Sequence, residues 1–237
     1  MPRLVMLGCG TGVGKTRVSV ALLRELAGRG LPCLGLKPIE SGIELQLQDG
    51  SAPPGSDAAQ LSAAGSGRAS ILHPLYALRE PISPHLAARN SGLKLELAAA
   101  AQWVKTAELA MTPHVSSDRA LWTVVESAGG VFSPLGLGQT NFDLGRALEP
   151  AIWVLVAADT LGVLHDVTAT WEAMAARGRT PDHLVLSQAR EPDASTGSNA
   201  NELRTLGIAT PSALLARNDD RGIVTLVDRL IAAQHAG

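Results

Sequence analysis

Nine residues near the start of the chain, Gly8-Cys9-Gly10-Thr11-Gly12-Val13-Gly14-Lys15-Thr16, restrict the fold more than any other stretch. A short apolar run, Leu4-Val5-Met6-Leu7, precedes them, and Val18, Ala21, Leu22 and Leu26 follow at helical spacing. Strand, glycine-rich turn and helix, with Gly-Lys-Thr closing the turn, form the layout of a phosphate-binding loop. The N–H groups of Gly10, Thr11, Gly12, Val13, Gly14, Lys15 and Thr16 would face phosphate oxygens at a helix start. Lys15 would reach the outer phosphates, and the Thr16 hydroxyl would ligate Mg²⁺. The strict pattern is not met, because Cys9 occupies the first glycine position. A merely structural strand–helix turn is the alternative. Four glycines, the strand before and the helix after weigh against it.

The rest of the chain repeats the alternation. Strands are expected at 4–7, 33–36, 121–125, 151–156, 183–186 and 213–215, and helices at 15–27, 58–63, 95–111, 141–148, 163–176, 199–206 and 223–233. Glycines at 28 and 30 stop the first helix, and the short return to 33–36 predicts a right-handed crossover between parallel strands. This pattern predicts one domain over 1–237, a three-layer α/β/α fold around a mostly parallel, P-loop NTPase-like sheet. Residues 43–56, rich in Gln, Gly, Ser and Pro, are expected to form a mobile surface loop, and 65–92 to mix turns with short helices. In such folds ligands collect at the carboxyl ends of the strands.

Composition excludes several classes. A formal charge of −2 and 3% aromatic residues speak against a nucleic-acid partner, which needs a basic face or a stacking platform. No apolar run reaches the ~18 residues of a membrane span. Two cysteines are too few for a disulfide framework, and the opening apolar run is too short for a signal segment. A cytoplasmic protein is expected.

Further motifs follow in order: Lys37-Pro38-x-x-Ser41-Gly42, Asp57, Ser83-Pro84-His85 and Glu126-x-Ala128-Gly129-Gly130. Together with the loop they resemble the dethiobiotin synthetase family over most of the first 150 residues, and more weakly beyond. The resemblance implies an ATP-dependent cyclo-ligase of biotin biosynthesis. It would join 7,8-diaminopelargonic acid and CO₂ into a cyclic urea, with ATP or another nucleoside triphosphate as co-substrate and Mg²⁺ as cofactor, in a homodimer. It further implies catalytic roles for Lys15, Lys37, Thr11 and Ser41, and metal binding by Thr16, Asp57 and Glu126. Substrate contacts would come from Ser41, Ser83, Pro84, His85, Gly129 and Gly130. The substrate's carboxylate tail would meet Leu161, Gly162 and His165 of a partner subunit, and the base would lie near Ser187, Gln188 and Pro211.

The residue types suit that chemistry. A carbamate and a phosphate repel, so fixed cations are needed between them. Lys37 follows the strand at 33–36, expected beside the first strand, so that Lys15 and Lys37 converge. Plainer readings stand alongside: Asp57 also fits a helix N-cap, Glu126 an ordinary strand-end carboxylate, His85 a polar loop residue and His165 a surface helix residue. Cys9 fits a small packed residue better than a reactive thiol. The chain departs from the family where Gly10 and Gly12 replace acidic loop residues and Ser127 replaces a glycine. Leu186-Ser187-Gln188-Ala189 lacks an asparagine for adenine, so a relaxed base preference is expected. The rival assignments are a partition-type nucleotide-switch ATPase, whose early loop lysine corresponds to Gly10, and a family paralogue without synthetase activity.

Overall fold

The computed structural model describes residues 1–46, 50–66, 73–116, 119–217 and 219–235. The chain runs β1 (Arg3–Gly8), α1 (Lys15–Gly28), β2 (Cys33–Leu36), β3 (Ile39–Ser41), α2 (Asp57–Ala64), β4 (Tyr76–Leu78), α3 (Pro84–Asn90) and α4 (Leu97–Met111). It continues through β5 (Trp122–Glu126), β6 (Pro134–Gly136), β7 (Gln139–Thr140), α5 (Asn141–Ala147), β8 (Ile152–Asp159) and α6 (Val163–Ala176). β9 (His183–Gln188), α7 (Asn199–Thr205), β10 (Ala213–Leu215) and α8 (Arg221–His235) complete it.

Six strands form one parallel sheet in the order β10-β9-β8-β1-β5-β2. Strand alternation divides the core into two halves. Leu4, Met6, Trp122, Val124, Val154 and Val156 face α1, α2 and α8. Val5, Leu7, Val125, Trp153, Leu155 and Ala157 face α3 to α7. That is the three-layer α/β/α arrangement. Burial at Ile223, Leu226, Val227 and Leu230 follows the helical period that closes α8 onto the first face. No helix among the described residues is long and apolar enough to cross a membrane.

One expectation about the sheet fails. β2 is parallel to β1, but it is not its neighbour: β5 lies between them, pairing Met6 with Glu126 on one side and Leu36 with Val125 on the other. The crossover rule sets handedness and direction, not adjacency. β5, buried along its whole length, takes the inner position. Lys37 therefore leaves the edge strand, and Glu126 stands between it and the loop after β1.

Short pairings escaped the sequence pattern because two or three residues carry no periodicity. β3 and β4 pair in parallel, Ser41 opposite Leu78, and β6 and β7 form an antiparallel hairpin between β5 and α5. Within the loop expected to be mobile, Ile43 and Ala52 are buried and Gln46 N–H donates to Ser51 O at 2.9 Å. Residues 47–49 of that loop, and 67–72 of the next segment, lie outside the described residues.

Gly35 lets α1 and α2 rest on β2. A Cβ there would stand 2.6 Å from both Leu23 Cδ1 and the Leu61 carbonyl oxygen. Backbone must move to admit it, so Gly35→Ala is expected to lose about 1–3 kcal/mol of stability in urea unfolding. A change below about 0.5 kcal/mol would contradict this packing.

Candidate active site

The loop after β1 takes its shape from glycine. Gly12 and Gly14 adopt φ of 75° and 94°, and Gly14 caps α1. A Cβ on Gly14 would also lie 2.4 Å from Ser187 Oγ, so only glycine fits between the loop and β9. Cys9 needs no such freedom. Its N–H donates to Val156 O at 2.9 Å, extending the strand pairing, and among the described residues only glycines have positive φ. Burial pushes its thiol up to about 11, consistent with a packed side chain. Lys15 folds back over the loop, with Nζ 3.5 Å from Gly10 O.

Alternation along β5 turns Glu126 to the same face as Val124, towards α1. There the side chains of four elements meet. Lys37 Nζ donates to Glu126 Oε1 at 2.6 Å and to Asp57 Oδ2 at 2.8 Å. Thr16 Oγ1 lies 2.9 Å from both Asp57 Oδ1 and Glu126 Oε1. Ser19 Oγ donates to Glu126 Oε2 at 2.9 Å. Lys37 and Glu126 are buried, at 4% and 1% exposure, so neither charge has water to fall back on.

The electrostatics follow from that burial. For Lys37, burial opposes the charge, but Glu126 and Asp57 outweigh it and hold the ammonium above the usual lysine range. For Asp57, burial pushes up, but Lys37, Thr16 and Lys15 win and hold the carboxyl low. Lys15 has no such close partner. Burial first, and repulsion from Lys37 second, bring it down to about 8. Thr16 has one hydroxyl proton and two carboxylates at equal distance, so one oxygen–oxygen contact lacks a hydrogen. A hard cation would satisfy all three oxygens, and one or two carboxylates with a hydroxyl suit Mg²⁺ shared with phosphate. Among the described residues no denser cluster of metal-ligating side chains exists.

These groups open onto a cleft of about 610 Å³. Thr11, Gly12, Gly14, Lys15 and Thr16 line one side, and Ser41, Pro81, Ile82, Ser83 and Pro84 the other. Gly129 and Ser133 close the end. Gly130 sits behind, donating its N–H to Ser133 Oγ at 2.9 Å. The buried amide of Asn141 ties that turn, donating to Ala128 O at 2.6 Å and Gly130 O at 2.9 Å. Ser41 Oγ is buried without a hydrogen-bond partner among the described residues. Such an orphan beside a cleft points to a polar ligand.

A second recess of about 250 Å³ continues past Gly12, Val13 and Gly14 to Ser187 and Gln188. Arg17, Arg190 and Arg217 line it too. Arg217 N–H donates to Gln188 Oε1 at 2.7 Å, which leaves the Gln188 amide NH₂ free to donate.

Not every residue singled out in the sequence arrives here. Pro211 precedes β10, whose first residue pairs with Val185, so it lies towards the amino ends of the strands, and Arg217 stands at the recess instead. His85 turns aside: Pro84 opens α3, and His85 Nδ1 meets Ser83 Oγ at 2.9 Å while its ring lines a neighbouring groove. Leu161, Gly162 and His165 open α6 beside the carboxyl end of β8, exposed and outside the cleft of their own chain. Conversely, Glu40 is a buried cleft residue that motif reading passed over. It occupies a free position in Lys37-Pro38-x-x-Ser41, and only a carboxylate among buried neighbours marks it. Its oxygens accept the N–H groups of Asp57 at 2.7 Å and Ala58 at 3.0 Å. Burial raises its carboxyl above the usual range.

Comparison with known proteins agrees with this geometry. A family profile described as an AAA domain matches residues 2–219. The ATP-dependent dethiobiotin synthetase BioD of Anaeromyxobacter dehalogenans (strain 2CP-C) is 34% identical over 93% of this chain and 92% of its own. That of Caulobacter sp. (strain K31) is 34% identical over 98% and 96%. Among solved structures, the cell division ATPase MinD of Pyrococcus furiosus covers 98% of this chain and 100% of its own, with a TM-score of 0.55. At 14% identity that likeness concerns the fold alone. With a third of its residues identical along nearly the full length of both chains, the protein belongs to the dethiobiotin synthetase family of P-loop NTPases.

Proposed function

We propose that this protein is a dethiobiotin synthetase, closing 7,8-diaminopelargonic acid and CO₂ into a cyclic urea at the expense of a nucleoside triphosphate. The observation that carries the reading is the pair of buried lysines, Lys15 and Lys37, converging from two strand ends on one cleft. A carbamate that approaches a γ-phosphate at about 4 Å meets roughly 4 kcal/mol of repulsion per unit charge pair near a protein surface. Two fixed ammonium groups offset a barrier of that size.

Each residue has a task in that scheme. The loop from Gly10 to Thr16 cradles the phosphates, with Lys15 on the outer ones, and the base extends towards Ser187 and Gln188. Thr16, Asp57 and Glu126 would hold Mg²⁺, which would supply positive charge beside the phosphates. One substrate amine takes up CO₂ as a carbamate, which Ser41 orients through its unpaired hydroxyl. The carbamate oxygen attacks the γ-phosphorus and displaces the nucleoside diphosphate as the β–γ bridging oxygen leaves, and Lys37 neutralises the charge that builds on the transferring group. Thr11 and the Gly129-Gly130 turn then hold the mixed anhydride while the second amine attacks its carbon and expels phosphate. His85, turned from the cleft, keeps Ser83 in place rather than touching substrate.

Leu161, Gly162 and His165 do not line the cleft of their own chain. A homodimer in which they receive the substrate's carboxylate tail at a helix start explains why Leu161 is 84% exposed. The reading fits a cytoplasmic protein with small-molecule substrates.

Incubation with 7,8-diaminopelargonate, bicarbonate and Mg²⁺ should yield cyclic urea, and no product with any of ATP, CTP, GTP and UTP would refute the assignment. The donor-rich recess and the missing asparagine predict relaxed base choice. A preference for ATP above about a hundredfold, ~2.7 kcal/mol, would reject that part. Lys37→Ala should lower kcat far more than it weakens nucleotide binding, because its charge matters most during phosphoryl transfer; a near-normal kcat would contradict the role. Protonated Lys15 binds phosphate and neutral Lys15 does not. Nucleotide affinity should therefore hold below pH 8 and weaken as pH rises through the value of about 8 set by burial. Calorimetric titration that finds no weakening by about pH 9.5 would exclude Lys15 as the phosphate ligand.

A further inference from the structure

The cleft holds three carboxylates, Glu40, Asp57 and Glu126, and two ammonium groups, Lys15 and Lys37. Asp57 and Glu126 share Lys37. Glu40 is left over. It is 5% exposed, and among the described residues it forms no ion pair. Its only donors are the two neutral N–H groups that open α2. A carboxylate has about four acceptor sites, so half of its capacity is unused. Lys37 acts on Glu40 only at longer range, without an ion pair. A buried carboxylate without a directly bonded cation is costly, and the start of a helix offsets only part of that cost.

The lysines receive anions: the triphosphate and the carbamate. The diamine is the one reactant that enters with positive charge, since an alkylamine, like a lysine side chain, is protonated at neutral pH. Resting on the synthetase reading, we propose that Glu40 is the ammonium-binding carboxylate of the cleft, receiving a protonated amine of the diamine beside the Ser41 hydroxyl. The site takes primary alkylammonium groups and rejects neutral or anionic replacements at that position. It also separates opposite charges within one cleft. Phosphates lie on the loop side, and the amine is drawn to the β3 side, so the diamine does not lodge on Asp57 or Glu126.

Glu40→Gln keeps the shape and an acceptor for α2 while removing the charge. Calorimetry should show the affinity for 7,8-diaminopelargonate falling at least about tenfold, with the affinity for a Mg²⁺-bound non-hydrolysable ATP analogue changing less than about twofold. The opposite pattern, weaker nucleotide with unchanged diamine, would overturn the proposal and leave Glu40 only as a support for Asp57. A measurement on the wild type does not depend on the variant's folding: nonanoate, which lacks both amines, should bind at least about tenfold more weakly than the diamine. Equal affinities, or no diamine binding, would also overturn the proposal. Turnover separates the two claims. Cyclic urea formation with Glu40-independent binding sinks the site alone. Glu40-dependent binding without cyclic urea sinks the synthetase reading alone.

Discussion

A buried lysine held between two carboxylates governs this structure. Lys37 Nζ reaches Glu126 at 2.6 Å and Asp57 at 2.8 Å, and no single element supplies the three partners. The edge strand delivers the ammonium, its neighbour delivers Glu126 and a short helix delivers Asp57. Removing Lys37 would leave buried Glu126 facing Asp57 with no cation between them, which typically costs several kcal/mol. The same contact ties the sheet to the helical layer that contains α1 and α2. It also holds the Lys37 ammonium charged where it lines the cleft.

Much of this was legible in the residues. The glycine loop, the alternation of strands and helices and the parallel sheet follow from local pattern. So does the direction of Glu126, since Val124-Val125-Glu126 alternates between faces. Strand order was not legible. That β5 slips between β1 and β2 depends on which distant strand buries best beside which, and no local spacing records it. The consequence is more than topological: with β5 inserted, Lys15 and Lys37 flank a carboxylate rather than each other.

The residues that sequence reading missed or misplaced share one cause, which is that motifs record chemistry at required positions and are silent at free ones. Glu40 stands at a free position and becomes visible only when burial and its amide donors are known. Arg17 and Arg217 enter the recess beside Gln188 because α1 and the end of β10 meet there; Arg17 donates to Gln188 O at 3.1 Å and to Ala216 O. Pro211 was expected near the base from the family resemblance, but a parallel strand carries it towards the amino ends of the sheet. His85 follows a proline that starts a helix, and the turn swings its ring out of the cleft. The MinD-like fold alone does not select a function. What separates this chain from a partition-type switch lies in particular residues: Gly10 where such ATPases carry a lysine, and Ser41 and Ser83 facing the loop.

The central claim is that Lys15 and Lys37 serve one reacting centre. A crystal structure with Mg²⁺, a non-hydrolysable triphosphate and the diamine tests it most directly. The account predicts both ammonium groups within hydrogen-bond distance of the γ-phosphate, with Asp57 and Glu126 turned to the metal. A γ-phosphate bound by Lys15 alone, with Lys37 still locked between its two carboxylates, would contradict it.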